Sequence, residues 1–193
     1  MLQIIVRIIL QPLFWLFYWP KPKNWRYLNK SGPVIYMSNH KRWFDVFIII
    51  LSSMRVVYIL GKQELFENKL FGAVLRGLNA FPVSRGTADV SAIKQSINIL
   101  KEGKVLLIFP EGTRTKGEEL NTMHDGVSLI ALKSKASIVP INIQNDYDFF
   151  HHAKVTIGEP IDIKKLESQT DKLNTKQVSE ILFKTLANLH KGE

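Results

Sequence analysis

The chain has 193 residues, of which 46% are hydrophobic, and a formal net charge of +9. This length supports one domain with a full core and leaves little room for two. The absence of cysteine excludes disulfides, a thiolate nucleophile and a cysteine-based zinc site. The charge indicates an anionic partner, which leaves nucleic acid, an acidic lipid surface or a phosphorylated small molecule.

The first segment, residues 1–19, is almost wholly apolar. Its polar exceptions are Gln3, Arg7 and Gln11. A bilayer crossing requires about 20 apolar residues, and the presence of Arg7 and Pro12 favours a helix that lies in the membrane interface over one that spans it. A basic collar suited to an anionic leaflet follows: Lys21, Lys23, Arg26 and Lys30. We therefore predict a membrane-associating helical segment over 1–30, at the cytoplasmic face of an anionic membrane. The alternative is a core helix of the soluble domain.

From residue 31 onward, short apolar runs alternate with segments of helical periodicity. The runs that predict strands are 34–38, 55–60, 80–83, 104–109, 138–143 and 154–157. The segments that predict helices are 46–51, 64–78 with one apolar face, 90–100, 126–133 and 178–189. Pro140 within its run indicates an edge strand or a bulge. This alternation predicts a single α/β domain over 31–193, with a mixed, largely parallel sheet layered by helices.

The stretch from Asn39 to Asp45 places an imidazole and a carboxylate at a strand-to-helix turn. His40 and Asp45 flank the tip of this turn, where side chains project into a cleft at the edge of an α/β sheet. A carboxylate orients a histidine ring and stabilises the imidazolium that forms when the other nitrogen takes a proton. We therefore interpret the pair as a general base with its supporting acid.

A second polar stretch, residues 109–114, follows a predicted buried strand. Gly112 permits a tight backbone, Thr113 offers a hydroxyl, and Arg114 presents a planar fork that matches phosphate oxygens. Arg85 follows another short strand and would emerge at the same edge if the two strands are parallel. Two guanidinium groups near an imidazole would make a site for a phosphorylated alcohol.

Four motifs occur in order along the chain. They are Asn39-His40 with Asp45, Phe81-Pro82-Val83 with Arg85, the block Phe109-Pro110-Glu111-Gly112-Thr113-Arg114, and Val139-Pro140-Ile141. Together they resemble the motifs of the glycerolipid acyltransferases, specifically the PlsC-type 1-acylglycerol-3-phosphate (lysophosphatidic acid) acyltransferase branch. The resemblance covers about residues 40–141, and the 109–114 block is its most specific part.

This resemblance implies a function. An enzyme of this branch moves a fatty acyl group from acyl-CoA or acyl carrier protein to the free sn-2 hydroxyl of lysophosphatidic acid, giving phosphatidic acid in phospholipid biosynthesis, with no cofactor or metal. His40 would be the base that deprotonates the hydroxyl, and Asp45 would orient it. The substrate-binding residues would be Arg85, Glu111, Gly112, Thr113 and Arg114. A thioester donor needs no covalent acyl-enzyme, which agrees with the absence of cysteine.

Two departures from the family pattern leave the acceptor open. Arg42 stands where a small hydroxyl residue is common, and His124-Asp125 precedes Gly126 where a basic residue is usual. One alternative is therefore another lysophospholipid or glycerol-phosphate acceptor. Two alternatives lie outside this chemistry: a basic nucleic-acid-binding module, which we disfavour, and a structural protein of the membrane surface. The adjacent pair His151-His152 suggests a loop more than a metal site.

Overall fold

The computed structural model describes residues 2–18, 21–84, 89–112, 125–144, 154–170 and 173–191. The strands are β1 (Lys21–Lys23), β2 (Val34–Ser38), β3 (Val57–Lys62), β4 (Ala80–Val83), β5 (Val105–Ile108), β6 (Ser137–Ile143) and β7 (Lys154–Ile157). The α-helices are α1 (Leu2–Tyr18), α2 (Asp45–Ser52), α3 (Lys69–Gly77), α4 (Val90–Lys101), α5 (Gly126–Ser134), α6 (Ile163–Gln169) and α7 (Thr175–Lys191). Two 3-10 helices lie at Trp25–Asn29 and Gln63–Phe66.

The strands form one mixed sheet in the order β1-β7-β6-β2-β5-β3-β4. β6 and β2 pair in parallel, as do β2 and β5, β5 and β3, and β3 and β4. β7 is antiparallel to β6, and β1 is parallel to β7. The predicted α/β fold with a mixed, largely parallel sheet layered by helices is therefore confirmed.

Helices cover both faces of the sheet. Along β2, Val34 and Tyr36 belong to one core cluster, and Ile35 and Met37 belong to the other. The first cluster packs against α2, α3 and the two 3-10 helices, which we call the α2 layer. The second packs against α4, α5, α6 and α7, which we call the α7 layer. Burial on both faces explains why the central strands are continuous apolar runs.

Pro140 does not mark an edge strand. It lies in β6, which has β2 on one side and β7 on the other. Its carbonyl accepts a hydrogen bond from the N–H of Gly158 at 2.9 Å, so its nitrogen also faces the β7 side. β7 ends at Ile157, and pairing resumes only at the Ile138–Ile161 bridge. The missing N–H therefore falls at a break in the pairing, where the register shifts by one residue between Ile141–Ile157 and Ile138–Ile161. Of the two predictions for Pro140, the edge strand is wrong, and the structure has the bulge, with the extra residue on the segment after β7.

The predicted helix over 64–78 is two elements. A 3-10 helix ends at Phe66, and α3 begins after Asn68, whose side chain accepts from the N–H of Phe71 at 3.0 Å. This cap starts a new helix with a new phase. Consequently Phe66 is buried while Leu70 is exposed, and the predicted single apolar face does not turn toward the core.

α1 is attached to the domain by its polar side chains. Gln3 is buried, and its amide donates to the carbonyl of Val57 at 2.9 Å and accepts from the Val57 N–H at 3.0 Å. Arg7 donates to two carbonyls, one in the last turn of α2 and one just before β3, at 3.0 and 2.9 Å. Gln11 donates to another carbonyl of α2 at 3.1 Å. These residues recur every four positions, so they form one stripe along the helix.

Most of the apolar residues of α1 whose side chains are described face outward. Ile8 and Leu16, for example, are 70% and 69% exposed. This contradicts the alternative in which the segment is a core helix. No helix in the described part of the chain has the length and apolar character needed to cross a bilayer. β1, which follows α1, pairs with β7 in the sheet, and the division at residue 30 stays a prediction.

Candidate active site

The candidate residues that the structure describes lie along the edge where the parallel strands end, which we call the carboxyl edge. Met37 of β2 is in register with Ile108 of β5, so His40 and Phe109 both follow at this edge. β4 is parallel to β3, which brings its end and the adjoining Ser84 to the same edge. In an open α/β sheet this edge is where ligands bind.

His40 and Asp45 are in direct contact. His40 Nδ1 lies 3.0 Å from Asp45 Oδ2. The His40 side chain is 12% exposed and that of Asp45 is 1% exposed. An ionised carboxylate only accepts hydrogen bonds, so Nδ1 carries the proton and donates it. In the neutral ring, Nε2 therefore keeps its lone pair for an incoming proton.

The loop before α2 wraps around the Asp45 carboxylate. Oδ2 accepts from the backbone N–H groups of Lys41 and Arg42, each at 2.8 Å, in addition to His40. Asp45 is also the first residue of α2, where the partial positive charge of the helix N-terminus favours an anion. The Asp45 carboxylate thus fixes both the imidazole of His40 and the backbone of the loop that carries this imidazole.

Asn39 anchors this loop to the sheet. Its side chain is buried, accepts from the N–H of Ile143 at 2.8 Å and donates to the Ile143 carbonyl at 2.9 Å. The Asn39 side chain thereby continues the hydrogen bonding between β2 and β6 beyond the end of β2. Local sequence gives no sign of this role of Asn39, because its partner is 104 residues away.

Phe109 stacks on the catalytic candidate. Its ring centroid is 4.1 Å from that of His40, with an angle of 24° between the planes. The phenyl ring therefore covers one face of the imidazole and limits its rotation. Sequence reasoning included Phe109 in the 109–114 block without a role, and only the pairing of β2 with β5 reveals the contact.

We expect Phe109→Leu to lower kcat with little change in KM, because the imidazole loses its aromatic support but the substrate site stays intact. Aromatic pairs contribute about 0.5–1.5 kcal/mol, so the loss should be roughly 2- to 10-fold. Phe109→Tyr keeps the aromatic ring, so its kcat should stay close to that of the parent protein. Steady-state kinetics on both variants test this, and equal activity of Phe109→Leu and Phe109→Tyr would contradict it.

The start of the second polar stretch forms a tight turn. The Gly112 N–H donates to the Phe109 carbonyl at 3.1 Å, and Gly112 has a φ of 65°. This left-handed conformation suits glycine. Glu111 in the same turn is buried, with 4% of its surface exposed. Arg85, Thr113 and Arg114 lie outside the described residues, as do His124, His151 and His152.

Within the described ranges, no group of three His, Asp or Glu side chains is close enough to hold a metal ion. The site that can be described is thus an imidazole with a carboxylate, an aromatic ring and a turn that carries a buried glutamate. These features define an α/β domain with a carboxylate-supported histidine at the carboxyl edge of its sheet.

Comparison with known proteins gives the family. Residues 21–144 match the family model described as Acyltransferase. The chain belongs to this acyltransferase family, and the resemblance to the glycerolipid acyltransferases is confirmed.

Among its relatives is the 1-acyl-sn-glycerol-3-phosphate acyltransferase of Bacillus subtilis (strain 168), which is 36% identical over 137 residues, covering 68% of this chain and 67% of the relative. The enzyme of the same name from Streptococcus pneumoniae (strain ATCC BAA-255 / R6) is 30% identical over 150 residues, covering 74% of this chain and 55% of the relative. The chain thus spans between about half and two thirds of the length of these two relatives.

A solved structure is similar across nearly the whole chain. The crystal structure of the 1-acyl-sn-glycerophosphate (LPA) acyltransferase, PlsC, from Thermotoga maritima has a TM-score of 0.72 and 22% sequence identity, and the match covers 97% of this chain and 79% of that one. At this identity the similarity establishes the fold.

Proposed function

We propose that this chain is a 1-acylglycerol-3-phosphate O-acyltransferase, which transfers a fatty acyl group from an acyl thioester to the sn-2 hydroxyl of lysophosphatidic acid. The observation that carries the proposal is the His40–Asp45 contact at the carboxyl edge, with Nε2 of the ring left as an acceptor. Membership of the acyltransferase family and the names of the relatives support it. Family membership also disfavours the nucleic-acid-binding alternative.

In this reaction His40 Nε2 removes the proton of the acceptor hydroxyl as its oxygen attacks the thioester carbonyl. Asp45 holds Nδ1–H and stabilises the positive charge that develops on the ring. When the tetrahedral intermediate collapses, the C–S bond breaks and an ester bond remains. The imidazolium then returns its proton to the leaving thiolate, so no cofactor is consumed.

The phosphate of the acceptor is assigned to Arg85 and Arg114, with Gly112 and Thr113 shaping the loop. The described neighbours of Arg85 and Thr113 are Ser84 and Gly112. Both follow strands that end at the carboxyl edge, which carries His40. A guanidinium fork binds phosphate oxygens at two points and so fixes the orientation of the acceptor. We assign Glu111 to hold an arginine or a glycerol hydroxyl, since an ionised carboxylate repels phosphate.

A second acceptor class remains a candidate. Lyso-ornithine lipid O-acyltransferase of Pseudomonas aeruginosa is 33% identical over 112 residues, covering 58% of this chain and 43% of the relative. Arg42, whose backbone contacts Asp45, stands beside the base where the family pattern has a small hydroxyl residue. An acceptor with a different headgroup would use the same base and the same thioester.

A direct assay separates these candidates. Purified protein is incubated with acyl-CoA or acyl-carrier-protein thioester and, separately, with lysophosphatidic acid, lysophosphatidylcholine and lyso-ornithine lipid, and the products are identified by mass spectrometry. We expect phosphatidic acid as the main product. Preferential acylation of another acceptor would replace the first candidate by the second. Both candidates would be contradicted if the protein consumed the thioester equally with and without an acceptor, or if it consumed no thioester.

We further propose that the protein works on an anionic membrane surface, with α1 lying in the interface. The support is that α1 turns its polar stripe toward the domain and its apolar side chains outward. In water this orientation exposes a large apolar area, whereas in a leaflet that area is buried. A fluorophore at position 8 should report the contact when anionic vesicles are added. The cytoplasmic face stays a prediction.

A further inference from the structure

α3 presents its apolar side chains to the outside of the molecule. Leu70, Phe71 and Val74 are 80%, 49% and 44% exposed. Gly72 is the buried residue of this helix, and Leu75 packs partly buried against the core. A surface helix of a soluble domain normally turns its apolar stripe inward and leaves polar residues outside. Among the described elements, none covers the apolar outer face of α3.

Exposed apolar residues are also distributed unequally between the two layers. In the described part of the chain, the α7 layer exposes two large ones, Val90 and Phe183. The others lie on α1, on α3, on the two 3-10 helices and in the loops on either side of α2, such as Trp43 before it and Met54 after it. In the described part of the chain, the exposed apolar residues are thus concentrated outside the α7 layer, an asymmetry that is typical of a protein that lies on a membrane.

α1 and α3 form a continuous surface. A Cβ atom added at Gly77 would lie 2.6 Å from Leu2 Cδ2, so the end of α3 abuts the start of α1. The Gln3 amide also donates to the Leu78 carbonyl at 3.4 Å. α3 begins shortly after β3, at the carboxyl edge that carries His40, and it ends at α1. The apolar surface therefore extends from α1 toward the active-site edge.

We propose that the outer face of α3 is a second membrane-contact element, which inserts Leu70, Phe71 and Val74 into the acyl-chain region of an anionic leaflet beside α1. This proposal rests on the membrane association proposed above and extends it. The occupant is a leaflet because the surface continues that of α1 and because the net charge of +9 attracts acidic headgroups. With both helices docked, the α2 layer faces the lipid, and a lysophospholipid can reach the carboxyl edge without crossing water.

The absence of cysteine allows a direct test with single labels. Leu70→Cys, Ile8→Cys and Phe183→Cys are each labelled with an environment-sensitive fluorophore and titrated with vesicles of phosphatidylcholine and phosphatidylglycerol. Positions 8 and 70 should shift to the blue and be quenched by brominated acyl chains. Position 183, an exposed aromatic site of the α7 layer, is the matched control and should remain unchanged.

Each contrary outcome is distinct. A response at position 8 without one at position 70 overturns the role of α3 and leaves the association of α1 standing. No response at either position overturns membrane association itself. If the label at position 70 shifts when unlabelled protein is added without vesicles, the outer face of α3 binds a second copy of the chain instead of a leaflet.

A functional variant gives an independent measure. Leu70→Glu combined with Val74→Glu should weaken vesicle binding by roughly tenfold or more, because two exposed side chains lose their apolar transfer into the leaflet. Turnover of substrate dispersed in detergent micelles should stay unchanged, because neither residue belongs to the catalytic machinery. Undiminished vesicle binding by this variant would also overturn the proposal.

Discussion

Replacing His40 with alanine is expected to reduce kcat by about 10²- to 10⁴-fold, the usual contribution of general-base catalysis. The imidazole is the group at the carboxyl edge that is held by a buried carboxylate with its other nitrogen available. Without it, the acceptor hydroxyl must attack while still protonated. The measurement is acyl transfer from a thioester to lysophosphatidic acid by purified protein, with far-ultraviolet circular dichroism to show that the fold is retained.

His190→Ala is the matched control for this experiment. His190 Nδ1 also lies 3.0 Å from a side-chain oxygen, that of Asn142, but the residue is in α7, on the other face of the sheet. We expect near-parental activity from this variant. If His40→Ala retained comparable activity, the proposed mechanism would be wrong, whatever the family of the chain.

Asp45→Asn should lower kcat by on the order of 10²- to 10⁴-fold while leaving the protein folded. The amide oxygen of asparagine can occupy the position of Oδ2 and still accept from the Lys41 and Arg42 N–H groups. It carries no negative charge, so it does not stabilise the imidazolium that forms during proton transfer. The loss should therefore appear in kcat and not in the stability of the domain.

Asp45→Ala separates the two functions of the carboxylate. It removes the acceptor of both loop N–H groups as well as the partner of His40, and the unmatched donors should cost roughly 1–3 kcal/mol of unfolding free energy. Urea unfolding monitored beside turnover measures both effects. If Asp45→Asn were as unstable as Asp45→Ala, or if it kept full activity, the distinction between charge and loop support would fail.

Much of the carboxyl edge around His40 could be predicted from local sequence. The apolar run before Asn39 and the change of pattern at Asp45 place a histidine and a carboxylate at a strand-to-helix turn, and the structure has that turn. Short apolar runs gave most strands correctly, because the central strands are buried on both faces. The 3.6-residue period gave most helices, because it depends on which neighbouring side chains share a face. β1 and α6 were missed, since each is short and carries little periodic signal.

Other features depend on pairing between distant segments. Pro140 is tolerated inside the sheet only because β7 ends beside it, and Asn39 supports the catalytic loop only because β6 ends beside β2. The stacking of Phe109 on His40 likewise requires β2 and β5 to be neighbours. Strand order is a property of the whole chain, so no local pattern contains it.

The sequence by itself determined the class of the domain, the placement of His40 and Asp45 at one strand-to-helix turn, and the presence of an apolar N-terminal helix. The tertiary structure decided which way the amphipathic helices face. Periodicity shows that Gln3, Arg7 and Gln11 share one side of α1, and that Leu70 and Val74 share one side of α3, but it does not show which side meets the core. Here backbone carbonyls near the end of α2 take up the polar side of α1, so the apolar side stays exposed.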